Sequence, residues 1–223
     1  MGEFELKATI ILFSPSGNTE KTGRLLQQEL ERKQVVVQFF NIAGDRDFFL
    51  ASDKAAYLRQ KICDHSVLLI GSPVYTHHLQ YHVAELITNL LSPDERWGKI
   101  AVPFVTYGGI SSGVALAEAA KLLRDTGRTV LAGMKVSCSH HMTRAFLDQE
   151  YNKDKPGDSA AEVVRDLVER IMAMNPQTCR DVSASFNYQN LMTRAKAAFL
   201  FKEKEWHQKR YPKILIDKGR CLQ

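Results

Sequence analysis

The chain has 223 residues, 44% hydrophobic and 25% charged, with a formal net charge of +5. That length suffices for one well-buried core, with roughly forty residues left for an extra element. No apolar run approaches the roughly 20 residues of a membrane-spanning helix. The N-terminus, MGEFELKATIILF, lacks the basic region and small-residue cleavage site of a secretory signal. It begins Met1-Gly2, but Leu6 stands where a myristoylation signal needs Ser or Thr. The four cysteines, Cys63, Cys138, Cys179 and Cys221, are far apart and form no CxxC pair. A disulfide framework is not expected, and the reading is a cytoplasmic protein.

The positive charge is unevenly placed. Through Asn175 there are 20 Lys and Arg against 21 Asp and Glu, and from Pro176 onward 10 against 4. A basic tail can meet an anionic surface, but a solvated helix face explains it as well, and nucleic acid is not expected as a partner.

Taken in order, the apolar segments alternate with helical patterns. Ala8–Phe13, Val35–Asn41, Ser66–Gly71, Ile100–Thr106 and Val130–Ser137 read as strands buried on both faces, because their β-branched runs lack period-2 polarity. Helices are expected over Asn18–Arg32, Leu79–Leu91, Ser112–Thr126 and Ser159–Met174, with a further one covering Asp53–Gln60. Gly127 and Gly133 punctuate the region of the fifth strand, while Pro93 and Gly98 end the third crossover. Such alternation predicts an α/β fold: a doubly wound, five-stranded parallel sheet in the order 2-1-3-4-5 plus a C-terminal helical extension. In that order a ligand sits beyond the carboxyl ends of the strands, near the switch point. The division read from this pattern is a main domain over residues 1–175 and a basic extension over 176–223.

Three segments at those carboxyl ends have binding chemistry. Ser14-Pro15-Ser16-Gly17-Asn18-Thr19 follows the first strand. Its small hydroxyl residues and glycine let a loop fold round an anion at the opening of a helix. It is neither a Walker A loop nor GxGxxG, and an ordinary capping turn has the same composition. Gly71-Ser72-Pro73-Val74-Tyr75 follows the third strand and Thr106-Tyr107-Gly108-Gly109 the fourth. Tyr75 and Tyr107 can offer faces to a planar heterocycle, and the glycine pair allows close approach at its edge.

On these residues the sequence resembles the flavodoxin-like family, over roughly Ala8 to Met174. SPSGNT is similar to the family's phosphate signature, and GSPVY and TYGG to the loops that clasp an isoalloxazine ring. The resemblance implies non-covalent FMN. Ser14, Ser16, Gly17, Asn18 and Thr19 would surround the phosphate, and Ser72, Pro73, Val74, Tyr75, Thr106, Tyr107, Gly108 and Gly109 would line the ring. It further implies a redox protein passing electrons between a reduced donor and an iron–sulfur domain or partner. The alternatives are an NAD(P)H-dependent quinone reductase and a flavin-free binding module.

The tail bears a second resemblance. A helix is expected over Phe186–Trp206, followed by a short strand ending in Asp217 and then Cys221. This is similar to the opening of a bacterial-type ferredoxin domain, as in fusions of a flavodoxin with a two-cluster ferredoxin. The resemblance implies that Cys221 is the first ligand of a 4Fe–4S cluster, if the native protein continues past Gln223. A lone tail cysteine is the plain alternative. The expected partner is a redox protein or an attached ferredoxin domain, and a homodimer is left open.

His78 and His82 would be i, i+4 if the third helix begins early, a spacing seen in metal pairs, but no third ligand stands at motif spacing. His140, His141 and Arg144 lie in a long segment, Ser139–Asp158, which is expected to wall the site. Val74-Tyr75-Thr76-His77-His78 departs from ordinary flavodoxins in having no glycine. A β-branched residue resists positive φ, so this loop is expected not to rearrange with the flavin's redox state. The histidines and Arg144 should favour the fully reduced anion.

Overall fold

The computed structural model describes residues 6–61, 67–90, 98–140, 143, 147–175 and 178–200. Its strands are β1 (Lys7–Leu12), β2 (Val36–Asn41), β3 (Val67–Tyr75), β4 (His78–Leu79), β5 (Ile100–Tyr107), β6 (Thr129–Val130) and β7 (Met134–Ser137). The helices are α1 (Asn18–Arg32), α2 (Arg46–Leu50), α3 (Lys54–Lys61), α4 (Tyr81–Glu85), α5 (Ala115–Asp125), α6 (Asp158–Met172) and α7 (Leu191–Leu200).

The sheet runs β2-β1-β3-β5-β6, with β7 also on β5, and these pairs are parallel. With β6 and β7 counted as one interrupted strand, this is the flavodoxin-like order 2-1-3-4-5. Strict alternation divides the core between two faces. Ile11, Leu68, Ile70, Ala101 and Val105 pack with α4 and α5 residues Val83, Leu116 and Leu123. Ile10, Leu12, Leu69, Val102 and Phe104 pack with α1 and α6 residues Leu26, Leu30, Val164 and Leu167. Each such side chain, fully buried, contributes about 1.5–3 kcal/mol.

Several boundaries differ from the sequence reading. β3 continues to Tyr75, so GSPVY is strand rather than loop, and it turns back through β4. The helix expected from Leu79 begins instead at Tyr81, because the Gln80 side chain accepts from the N–H groups of His82 and Val83 and caps it there. The helix continues as a π-helical turn over Leu86–Leu90. The helix expected over Asp53–Gln60 is α3, and a further short helix, α2, precedes it. Asp45 caps α2, and Asp53 accepts from the Ala56 N–H at the start of α3.

The fifth strand, expected unbroken over Val130–Ser137, is split by the C-terminal extension. Val182 donates to the Val130 carbonyl and Asp181 accepts from the Val130 N–H. Phe186 packs against the core beside Gly133, where an added Cβ would come within 2.9 Å of its ring. The extension then passes Tyr188 and Gln189 across the 112–113 turn and enters α7. The helix expected over Phe186–Trp206 is thus described only as Leu191–Leu200, after a 3-10 turn at Ser183–Phe186. Ser66, Leu91, Pro93, His141, Arg144 and everything from residue 201, Cys221 included, lie outside the described residues.

Gly71 lies on β3 between Leu12 of β1 and Phe104 of β5. A Cβ there would stand 2.3 Å from Phe104 Cζ and 2.8 Å from Leu12 Cβ. Gly71→Ala is therefore expected to destabilise the fold by about 1–3 kcal/mol, the usual cost of overpacking. Urea unfolding with an unchanged midpoint would contradict this.

Candidate functional site

Because β1, β3, β5 and β7 are parallel, their carboxyl ends open on one edge, and the three predicted segments meet there. The first segment is shaped by Asn41, the last residue of β2. Its Oδ1 accepts from the Ser14 N–H at 3.1 Å, and its Nδ2 donates to the Ser14 carbonyl and to Glu20 Oε2. Ser14 Oγ accepts from the Glu20 N–H at 2.9 Å. Gly17 turns the chain with φ 83°, and nothing lies within 4 Å of where its Cβ would be. Ser16 is exposed, and Gly17, the N-cap residue of α1, supplies no side-chain cap. A 15-residue helix opening through a bare turn into free space fits a phosphate group well.

The other two residues of the signature are committed elsewhere. Thr19 is buried, and its Oγ1 is 2.7 Å from Thr106 Oγ1 at the end of β5. Two hydroxyls sharing one bond keep one proton to donate. Asn18 Nδ2 donates to the carbonyl and Oγ of Ser139, just beyond β7. These bonds fasten the anion loop to the strand ends that frame the rest of the site. Sequence reasoning missed Asn41 and Ser139 as supports, because only their places at strand ends, not a motif, mark them.

The second segment forms a tight hairpin. Val74 pairs with Leu79 and Tyr75 with His78, leaving Thr76 and His77 as a two-residue turn. Both take positive φ, 46° and 73°. This overturns the expectation that a β-branched residue would keep the loop out of that region. A two-residue antiparallel connection requires left-handed turn residues, and the strand twist outweighs a local cost of about 1–3 kcal/mol per residue. The turn is held from outside. Val114 donates to the His77 carbonyl at 2.8 Å, and a Cβ on Gly113, itself at φ 52°, would lie 2.1 Å from that oxygen. Ser72 is buried, donating to the Pro73 carbonyl and accepting from the Gln80 N–H. His78 sits on a strand and His82 on a helix, so the two are not an i, i+4 helical pair.

In the third segment the glycines serve the chain's own packing. A Cβ on Gly108 would lie 2.3 Å from His140, and one on Gly109 1.9 Å from Asn152 Nδ2. Asn152 donates to the Gly108 carbonyl and to Ser137 Oγ, and His140 bridges to Tyr151. The long segment after β7 therefore walls the edge at the TYGG turn. Tyr75 and Tyr107 are both half-buried at the rim. A separate open cleft of about 550 Å³ lies on the β2 side of the anion loop, lined by Glu20, Asn41, Asp45, Arg46 and Tyr57. Burial pushes the Cys138 thiol up to about 11, so it stays protonated and inert.

Two predictions follow from the hairpin. Gly113→Ala should push against backbone and lower affinity for a ligand at this edge, a loss visible by titration. The second concerns His77, whose pKa is lowered by burial, with His78 and Lys196 adding to the effect. Its neutral form is favoured in the folded state, so the unfolded chain binds the proton more tightly. The His77 contribution to stability should be full above about 6.5 and shrink as pH falls through that value. His77→Asn should flatten that part of a stability–pH curve.

No curated protein sequence matches the chain significantly. Among solved structures it is similar to flavodoxin 1 from Bacillus cereus, at 17% identity and TM-score 0.52, covering 76% of this chain and 99% of that one. It is also similar to an apo NADH:FMN oxidoreductase, at 19% identity and TM-score 0.52, covering 79% and 95%. A flavone reductase aligns at 11% identity and TM-score 0.55, covering 79% of this chain and 66% of that one. At these identities the likeness establishes the shared flavodoxin-like fold. The profile of the NADPH-dependent FMN reductases matches residues 6–143, more than half of the sequence, and the chain belongs to that family.

Proposed function

We propose that this protein binds FMN non-covalently at the carboxyl edge of the sheet and moves electrons from a reduced nicotinamide nucleotide through the flavin to an acceptor such as a quinone. The observation that supports this most is the glycine-turned start of α1 facing open space, bonded at Thr19 and Asn18 to the strand ends beside the ring segments. Bound FMN supplies the redox chemistry, accepting a hydride and releasing electrons.

The chain binds and orients. Backbone N–H groups of Ser16, Gly17, Asn18 and Thr19 hold the phosphate, with the hydroxyls of Ser14 and Ser16 and the spare proton of the Thr19–Thr106 pair. Ser72, Pro73, Val74 and Tyr75 form one boundary of the ring, and Thr106, Tyr107, Gly108 and Gly109 the other. Free Cys138 and Cys179 suit a reducing compartment, and among the described residues no helix is long and apolar enough to cross a membrane.

A second reading keeps the same flavin site but delivers electrons to an iron–sulfur domain or partner, with Cys221 as a cluster ligand. Membership of the NADPH-dependent FMN reductase family favours the reductase. Steady-state oxidation of NADPH or NADH with a quinone acceptor separates the two. Sustained turnover is expected. Its absence, with the flavin reducible by dithionite, would favour the iron–sulfur reading.

The phosphate assignment is tested at Ser16, the exposed hydroxyl of the loop. Ser16→Ala should remove one hydrogen bond to a charged group and cost about 1.5–3 kcal/mol of FMN affinity. Riboflavin, which has no phosphate, should bind as before. Equal losses for both ligands would defeat the assignment.

A further inference from the structure

The hairpin that would border the flavin ring is strained at Thr76 and His77, and its outer side is tied to α5 and α7. From α5, Glu118 accepts twice. Its Oε2 takes the Leu79 N–H at 2.9 Å, and its Oε1 lies 2.7 Å from His78 Nδ1. From α7, the Ala197 carbonyl lies 2.9 Å from His78 Nε2. The His78 side chain is only 15% exposed, so water cannot readily replace these bonds.

Counting protons gives the bridge a definite state. A backbone carbonyl only accepts, so Nε2 must carry a hydrogen to reach Ala197. A hydrogen must also lie between Nδ1 and Glu118 Oε1, while the second carboxylate oxygen is taken by Leu79. A neutral imidazole facing an ionised carboxylate supplies one hydrogen for these two positions. The closed bridge therefore holds one proton more than the open one, on the imidazole or on the carboxyl group. Among the described residues, His77 on the same hairpin and Lys196 on α7 are titratable groups beside it. Burial lowers the pKa of His77, with His78 and Lys196 contributing in the same direction, which keeps it neutral.

We propose that His78 is a positioning residue: by bridging Glu118 and the Ala197 carbonyl it clasps α7 to the back of the 74–79 hairpin and fixes the ring-facing conformation of that hairpin, in a proton-dependent manner. The inference rests on the FMN reading above. The C-terminal extension thereby belongs to the flavin site without touching the flavin. Proton uptake should close the clasp and proton loss should open it, the opposite sign to the effect at His77, which loses stability on protonation.

The test uses the full chain and follows amide hydrogen exchange at residues 74–79 and 191–200, corrected for intrinsic exchange, from about pH 6 to about pH 8. FMN and riboflavin affinities are measured alongside. In the unaltered protein, protection of α7 should fall as pH rises. His78→Ala should remove that protection at every pH and weaken FMN and riboflavin alike, on the order of tenfold, as expected for losing a bond to a charged group. Glu118→Gln is the sharper variant. Its amide can accept from Leu79 and donate to Nδ1, leaving a neutral His78 to donate to Ala197. It should therefore keep α7 protected while abolishing the pH dependence, and because it preserves every bond it also serves if His78→Ala fails to fold. A Glu118→Gln protein with the unaltered pH profile would overturn the proposal. So would a folded His78→Ala protein with unaltered α7 protection and ligand affinities. Failure of the unaltered protein to bind FMN at all would instead defeat the flavin reading.

Discussion

Parallel pairing is the constraint on which everything else here depends. Strands that run in the same direction must be joined by crossovers, so each pays for its burial with a helix on one face or the other, and all the carboxyl ends collect on one edge. Alternate side chains of β1, β3 and β5 feed two separate apolar layers, one under α4 and α5 and the other under α1 and α6. Their effect on function is to hold four strand ends in register, so that short polar segments at those ends meet without a long-range motif.

The segments are then locked to one another by bonds that a ligand-centred reading overlooks. Thr19 and Thr106 join the anion loop to the end of β5, and Asn18 and Ser139 join it to the end of β7. Asn41 fixes the same loop from β2. Side chains that look like ligand contacts in the sequence are partly structural, which leaves backbone N–H groups and a few hydroxyl protons for the phosphate in the proposed reading. Preformed donors of this kind cost little reorganisation when an anion arrives.

The ring hairpin shows the reverse relation between local preference and fold. Local sterics disfavour positive φ at Thr76 and His77, yet both adopt it. The energy comes from the strand pairing on either side and from Val114, Glu118 and the glycine at 113, which leaves room for the His77 carbonyl. A conformation maintained from outside responds to what happens outside. For that reason the C-terminal extension, which splits the fifth strand at Val130 and brings α7 against His78, is proposed to act on this edge.

The sequence by itself determined the fold class, the strand order and the three segments at the carboxyl edge, because strand and helix periodicity are local and burial of both sheet faces leaves a plain apolar signature. Asn18–Arg32 could be placed to the residue, since its glycine turn and apolar spacing both act within one element. Only the tertiary structure decided where β3 stops, why the fifth strand breaks, and what TYGG approaches. In the first case the deciding partner is a tight turn that folds His78 and Leu79 back on Tyr75 and Val74; in the other two it is far away in the chain, Asp181 and Val182 on Val130, and His140 and Asn152 on Gly108 and Gly109. Contacts of that long separation leave no periodic trace in the residues that make them, because helix and strand periodicity records only neighbours within one element.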